Sequence, residues 1–197
     1  IGGSVTVEPL GPPWWHALIG ENHVRVTRVI MPGPDTTDGD LRLLEGFNDV
    51  KQLSLHNARG VSGRGLKYLA SMRQLEHLSL HGTQVADEHL VHLKNLTRLK
   101  RLSLHGTQVR GAGLEHLTGA PLEVLSLQST RPEGAEMKHL NAFRGTLRSL
   151  NMEHCWIQGG FSLGDFPHLS DFDCPSSMGH RGDVHLYDLP LIDTPIV

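Results

Sequence analysis

The chain repeats itself, and that constrains its fold more than any other feature. Leu75-Glu-His-Leu-Ser-Leu-His-Gly-Thr-Gln-Val85 returns 24 residues later as Leu99-Lys-Arg-Leu-Ser-Leu-His-Gly-Thr-Gln-Val109. Each copy runs on into a Leu-x-His-Leu segment, Leu90 to Leu93 and Leu114 to Leu117. A period of this length marks a unit that cannot bury its apolar face alone and must stack on its neighbours. The register extends through Val26, Val50, Leu75, Leu99, Leu122, Leu147 and Leu169, in steps of 24, 25, 24, 23, 25 and 22 residues. That gives about seven units in a chain of 197 residues.

Within each unit the apolar spacing changes halfway. The fourth and sixth positions are apolar nearly throughout: Val29 and Met31, Leu53 and Leu55, Leu78 and Leu80, Leu102 and Leu104, Leu125 and Leu127, Leu150 and Met152, Phe172 and Cys174. Alternation of this kind turns one face of a short strand inward. Farther on, Leu66 and Leu69, Leu90 and Leu93, Leu114 and Leu117, and Met137 and Leu140 stand three apart, the spacing of neighbours on a helix. Asp38 and Asp87 precede such pairs by three residues, where a helix N-cap belongs, and Gly63, Gly111 and Gly134 fill that slot elsewhere. Each unit therefore reads as strand, tight turn and short helix. Helices are wider than the spacing between strands, so the stack must curve, with strands on its concave side.

The pattern Leu-x-x-Leu-x-Leu-x-x-Thr-x-Val, followed by Gly-Leu-x-x-Leu or His-Leu-x-x-Leu, resembles a leucine-rich repeat. With Thr83, Thr107 and Thr130 where many such repeats carry Asn, it is similar to the Thr-ladder repeats of planctomycete-type bacterial extracytoplasmic proteins. The resemblance covers about residues 26–175. It implies an α/β fold: a right-handed β-α superhelix, a leucine-rich-repeat solenoid with a parallel concave sheet, short outer helices and terminal caps. It also implies a binding scaffold with no catalytic residues, in an extracytoplasmic location. The slot of the Thr ladder holds Pro34, Ala58, Thr83, Thr107, Thr130, Cys155 and Ser177. An inward Thr should bond the backbone of neighbouring turns, as a buried hydroxyl must find a partner. Pro34 and Ala58 cannot do so, which predicts that the first two turns are less regular; Cys155 is small enough to substitute.

The ends break the pattern. Residues 1–25 form an N-terminal cap, with a strand at Ser4–Glu8 and a helical turn at Trp14–Ile19 stopped by Gly20; Trp14 or Trp15, with Leu18 and Ile19, would cover the first repeat's bare edge. Residues 176–197 form a C-terminal cap, closed by the apolar stretch Val184–Ile192. Arg181-Gly182-Asp183, in the loop before it, matches an integrin-recognised tripeptide, a weak signal at three residues. Trp156, just past the ladder slot, is expected to pack against the following turn.

Composition narrows the partners. A formal charge of −3 gives no basic field for nucleic acid. No apolar run approaches the roughly 20 residues of a membrane span. Two cysteines are too few for a disulfide framework. The unusual number is 14 His against 5 Phe, 2 Tyr and 3 Trp. Protonating every His would carry the formal charge from −3 to +11, so the surface should respond steeply to pH near 6.5.

The strand residues that point out of the sheet form three columns. The third positions read Arg28, Gln52, His77, Arg101, Val124, Ser149 and Asp171; the fifth Ile30, Ser54, Ser79, Ser103, Ser126, Asn151 and Asp173; the seventh Pro32, His56, His81, His105, Gln128, Glu153 and Pro175. A wall of hydroxyls beside stacked imidazoles suits a polypeptide, or a glycan, better than a mostly apolar small-molecule pocket. Charge is graded along it, from Arg28, Lys51, Lys100 and Arg101 (against Glu76) to Glu123, Glu153, Asp171 and Asp173 (against Arg148). The sequence therefore predicts a non-enzymatic protein-protein interaction scaffold. Its partner contacts are His56, His77, Ser79, His81, Arg101, Ser103, His105, Gln128 and Glu153.

Other readings of these residues are weaker. Two of the stacked imidazoles with His77 would suit Zn²⁺ or Cu²⁺, but three identical residues at one repeat position are what duplication of a unit produces. No cofactor is expected. Ser–His pairs recur in three units (Ser54 and His56, Ser79 and His81, Ser103 and His105), whereas a nucleophile needs one oriented base and an oxyanion site. A structural spacer in the cell envelope is the remaining alternative. The second His column, Tyr68, His92, His116 and His139, is expected to be exposed on the outer helices.

Overall fold

Residues 4–9, 24–173 and 184–186 are described by the computed structural model. The expected turn at Trp14–Ile19, the loop bearing Arg181-Gly182-Asp183, and positions Cys174, Pro175 and Ser177 lie outside them.

Eight strands form one sheet in the order β1 (Ser4–Pro9), β2 (Val24–Ile30), β3 (Gln52–Ser54), β4 (His77–Ser79), β5 (Arg101–Ser103), β6 (Val124–Ser126), β7 (Ser149–Asn151) and β9 (Asp171–Asp173). From β2 onward every pair is parallel and in one register, running Arg28, Gln52, His77, Arg101, Val124, Ser149, Asp171 across the sheet. This is the third column of the sequence. β1 pairs antiparallel with β2, Ser4 facing Ile30 and Pro9 facing Val24, so a strand covers the first repeat's open edge.

The repeats return through short helices at Asp40–Leu44, Arg64–Leu69, Asp87–Leu93, Ala112–Leu117 and Gly134–Phe143. All are 3₁₀ rather than α. A 3₁₀ helix rises about 2.0 Å per residue against 1.5 Å, so it crosses the back of the sheet with fewer residues, which a short unit needs. The sixth unit has no helix. Its return is β8 (Phe161–Leu163), which pairs in parallel with β10 (Val184–Leu186). The described part of the expected C-terminal cap therefore extends β8 in a separate two-stranded sheet.

The core lies between sheet and helices. Leu53, Leu78, Leu102, Leu125 and Leu150 enter it from the strands, and Leu66, Leu69, Leu90, Leu93, Leu114, Leu117, Met137 and Leu140 from the helices; all are at most 2% exposed. Full burial of a Leu side chain contributes about 1.5–3 kcal/mol, and every unit supplies several.

The polar devices between units differ from the expectation in two respects. Thr83, Thr107 and Thr130 are buried, but each hydroxyl donates to the carbonyl three residues earlier in its own turn, Leu80, Leu104 and Leu127. The same carbonyl also accepts the backbone N–H of that Thr, so each Thr closes its own bend twice. Cys155 is the member that reaches across, its thiol donating to the Leu127 carbonyl at 2.9 Å. Burial raises the pKa of that thiol. In the first turn Thr36, two residues past Pro34, is fully buried and its hydroxyl reaches the Met31 carbonyl at 3.5 Å. The second turn is as regular as those after it, since Ala58 N–H bonds the Leu55 carbonyl just as Thr83 N–H bonds that of Leu80.

The aspartates also act across units instead of capping their own helices. Asp87 accepts from the N–H groups of Arg110, Gly111 and Gly113 at 2.8, 3.0 and 2.7 Å. Asp38 accepts from the N–H groups of Ser62 and Gly65, and from the Ser62 hydroxyl. Each carboxylate thus satisfies the free amides that open the next unit's helix.

Candidate interaction face

One residue per unit sets the turn that leaves the sheet. Asn57, Gly82, Gly106, Ser129 and His154 all have φ between 56° and 69°, in the left-handed region. Gly enters that region without strain, and Asn more readily than most residues. This bend follows directly after the seventh column, and it aims His56, His81 and His105 along one line.

Their rings touch. His56 and His81 meet edge to face with centroids 4.2 Å apart and planes at 87°. His81 and His105 are stacked at 4.0 Å and 7°. Burial holds the His81 pKa below its ordinary value, and the neighbouring His105 and His56 lower it further. Burial likewise lowers that of His105, followed by His56 and His154. Each imidazolium would be desolvated and would face another, so the neutral form is favoured near pH 7. The column continues as Gln128, whose side-chain amide donates to Glu153 at 2.9 Å.

The third and fifth columns run beside it. From β2 to β6 they line a groove of ≈ 330 Å³, with Arg28, Gln52, His77 and Arg101 from the third column and Ser54, Ser79, Ser103 and Ser126 from the fifth, beside the apolar Ile30 and Val124. His77 is also held below its ordinary pKa, by burial first and then by Arg101, with Glu76 acting in the opposite sense. Beyond the groove, on β7 and β9, Ser149 Oγ donates to Asp171 at 2.7 Å, and the Asn151 amide donates to Asp173. The sheet thus brings His56, His77, Ser79, His81, Arg101, Ser103, His105, Gln128 and Glu153 onto one face.

Chemically this face can make many hydrogen bonds and accept charge of both signs. The parallel rings of His81 and His105 hold their nitrogen lone pairs in parallel planes, while His56 stands at 87° to His81. Among the described residues no group of three His, Cys, Asp or Glu is placed to hold a metal.

Two expectations about side chains elsewhere need correction. Trp156 is 54% exposed and does not pack beneath the next turn. Its backbone N–H bonds the Thr130 carbonyl at 3.2 Å, which fixes the backbone there, while the side chain is exposed. On the outer helices Tyr68, His92, His116 and His139 are half-buried. His92 is held below its ordinary pKa by burial, then by His89 and Lys67. His139 Nε2 lies 3.2 Å from a Glu136 carboxylate oxygen. The sequence carried one sign of the left-handed column, the Gly after His81 and His105; Asn57, Ser129 and His154 hid the rest. The reach of Asp87 across units carried no sign at all.

No protein-family model matches the chain, and no curated protein matches it. Among solved structures it is similar to an internalin C2 from Listeria monocytogenes, at 20% identity and a TM-score of 0.50 over 75% of this chain and 66% of that one. It thus spans just under two thirds of that internalin's length. The leucine-rich-repeat ectodomain of the receptor kinase SOBIR1 from Arabidopsis thaliana aligns at 17% identity over 93% of this chain and 83% of that one, with a TM-score of 0.44. At such identities the likeness to the internalin speaks to the fold.

Proposed function

The chain has the leucine-rich-repeat fold, and on that premise we propose that it is a non-enzymatic interaction module that holds another protein against its concave sheet. The observation that carries this reading is the single register of β2 to β9. It lines up the third and fifth sequence columns in two rows along one wall, polar except at Val124 and Ile30. His56, His77, Ser79, His81, Arg101, Ser103, His105, Gln128 and Glu153 are the contacts of this reading. Such a wall sets hydrogen-bonding side chains around a groove whose lining also includes Ile30 and Val124, a mixture that fits a polypeptide surface. Residues 1–25 and 176–197 serve as caps, and the location is extracytoplasmic, as the resemblance of the repeats implies. Among the described residues no helix is long and apolar enough to cross a membrane.

The test is capture from an extract of the source organism. Wild type should retain a specific protein that the His81→Ala/His105→Ala variant loses and a Lys94→Ala/Lys138→Ala variant, altered on the outer helices, keeps. Equal retention by all three would refute the concave face as the interface. A structural spacer would give that result.

A further inference from the structure

Charge is divided along the concave sheet, cations on β2 and β5 within the groove and carboxylates on β9, beyond the groove. Resting on the concave-face reading above, we propose that the concave sheet is a bipolar clamp for an extended polypeptide segment with carboxylates at one end and Lys or Arg at the other.

The basic half of the sheet, from β2 to the central strand β5, is only partly neutralised. Arg28 and Arg101 are exposed on β2 and β5, and neither has a carboxylate within ion-pair distance among the described residues. Lys100 has only the loose Glu76 contact, at 4.0 Å. His77 lies in the groove with Arg28 and Arg101; burial chiefly holds its pKa down, and Arg101, Lys100 and Arg28 add to this while Glu76 opposes them. Charge left unpaired along one wall is stabilised by an opposite charge brought by a partner.

The acidic end is built differently. Asp171 and Asp173 are exposed on β9, and each has one carboxylate oxygen fixed, by Ser149 Oγ and by the Asn151 amide. Glu153 is held by Gln128 through one oxygen, and its other oxygen lies 3.4 Å from His154 Nε2. Carboxylates fixed in advance lose less side-chain entropy when they bind a cation. A polyanion laid along the whole sheet would meet this end as a repulsion.

Between the ends the groove reads no sequence. The hydroxyls of Ser54, Ser79, Ser103 and Ser126 recur at the strand spacing of about 4.8 Å, whereas an extended chain advances about 3.4 Å per residue. The two repeats do not match, so the serines can hold backbone groups without fixing a register. The end charges fix it. From β2 to β9 there are six strand spacings, about 29 Å, which an extended segment of about nine residues spans.

The test uses two fluorescein-labelled nonapeptides of equal composition. One has blocked charges, Glu-Glu-Glu-Ser-Gly-Ser-Lys-Lys-Lys, and the other alternates them, Glu-Lys-Ser-Glu-Lys-Gly-Glu-Lys-Ser. Fluorescence anisotropy at low ionic strength should show the blocked peptide binding at least tenfold tighter. Arg28→Gln/Arg101→Gln at one end and Asp171→Asn/Asp173→Asn at the other should each remove that preference. Lys94→Gln/Lys138→Gln should leave it intact. Equal affinity for the two peptides overturns the clamp, as does failure to bind either. A sulfated oligosaccharide that binds more tightly than the blocked peptide, and is indifferent to Asp171→Asn/Asp173→Asn, overturns it in favour of a polyanion site. The capture experiment with His81→Ala/His105→Ala touches neither charged end, so the concave interface stands or falls separately.

Discussion

Replacing Asp87 with Ala tests the account of how the repeats hold one another. Its carboxylate accepts three N–H groups of the following unit, from Arg110, Gly111 and Gly113. The Arg110 amide lies at the surface and water replaces its partner at little cost. Gly111 and Gly113 are buried, so their amides are orphaned. A hydrogen bond removed from a buried donor costs about 1–1.5 kcal/mol, so Asp87→Ala should lose about 2–3 kcal/mol. For a chain of this size that lowers Tm by about 4–12 °C. One oxygen, Oδ1, serves both buried amides, and Oδ2 serves Arg110. Asp87→Asn can keep its carbonyl in the Oδ1 position and should lose about 1 kcal/mol or less. Urea unfolding measures both variants, and hydrogen exchange at Gly111 and Gly113 should accelerate in Asp87→Ala only. A loss below about 0.5 kcal/mol for Ala, or an Asn variant as weak as the Ala variant, would refute the clamp.

Three other outcomes follow from the same geometry. In Gly113→Ala the new Cβ would lie 2.5 Å from the Asp87 carbonyl oxygen and 2.8 Å from its Cα, so two units must separate; a cost of about 1–3 kcal/mol in urea unfolding is expected. His154→Gly relieves a left-handed backbone at φ 56° and, after the extra chain entropy of Gly, should raise stability by about 0.5 kcal/mol; a loss would contradict the assignment of strain. The pH dependence has a definite sign. Because His81, His105, His77 and His92 have folded pKa values below 6.5, the unfolded chain binds protons first as pH falls. Their contribution is complete above about pH 6.5, declines below it and levels off beneath the folded values, so Tm should drop between about pH 7 and 5 and drop less in His81→Gln. A flat Tm over that range would be the contrary result.

The strands and the face were legible because their signal is arithmetic. A Leu at the fourth and sixth positions of a 22–25-residue period fixes which side chains enter the core, and the register of Arg28, Gln52, His77 and Arg101 follows from counting. The helix type was not legible, since Leu90 and Leu93 three residues apart satisfy α and 3₁₀ geometry equally. Nor was the partner of Asp87. Three residues before an apolar pair, it has the position of a cap for its own helix, and only the stacking distance between units directs it to the next one. Trp156 shows a third kind of loss. A large apolar residue beside the ladder slot is expected to bury itself, yet Cys155 and Ile157 on either side already fill the interior.

In a repeat fold, recurrence and departure carry different information. Positions that recur, such as Leu78, Leu102 and Leu125, are required by stacking and would be the same whatever the protein bound. The seventh column recurs as His for three units and then becomes Gln128 and Glu153, and the third column passes from Arg28 and Arg101 to Asp171. Stacking requires none of these changes, because all the side chains point away from the core. Their cost is borne in the field along the wall, where cations without carboxylate partners at one end and anchored carboxylates at the other store electrostatic free energy that a complementary partner would release. The argument predicts a salt dependence. Binding that reads the gradient weakens as ionic strength rises from about 0.05 M to 0.5 M, over which the screening length falls from about 14 Å to about 4 Å. Binding that rests on the imidazole row alone does not.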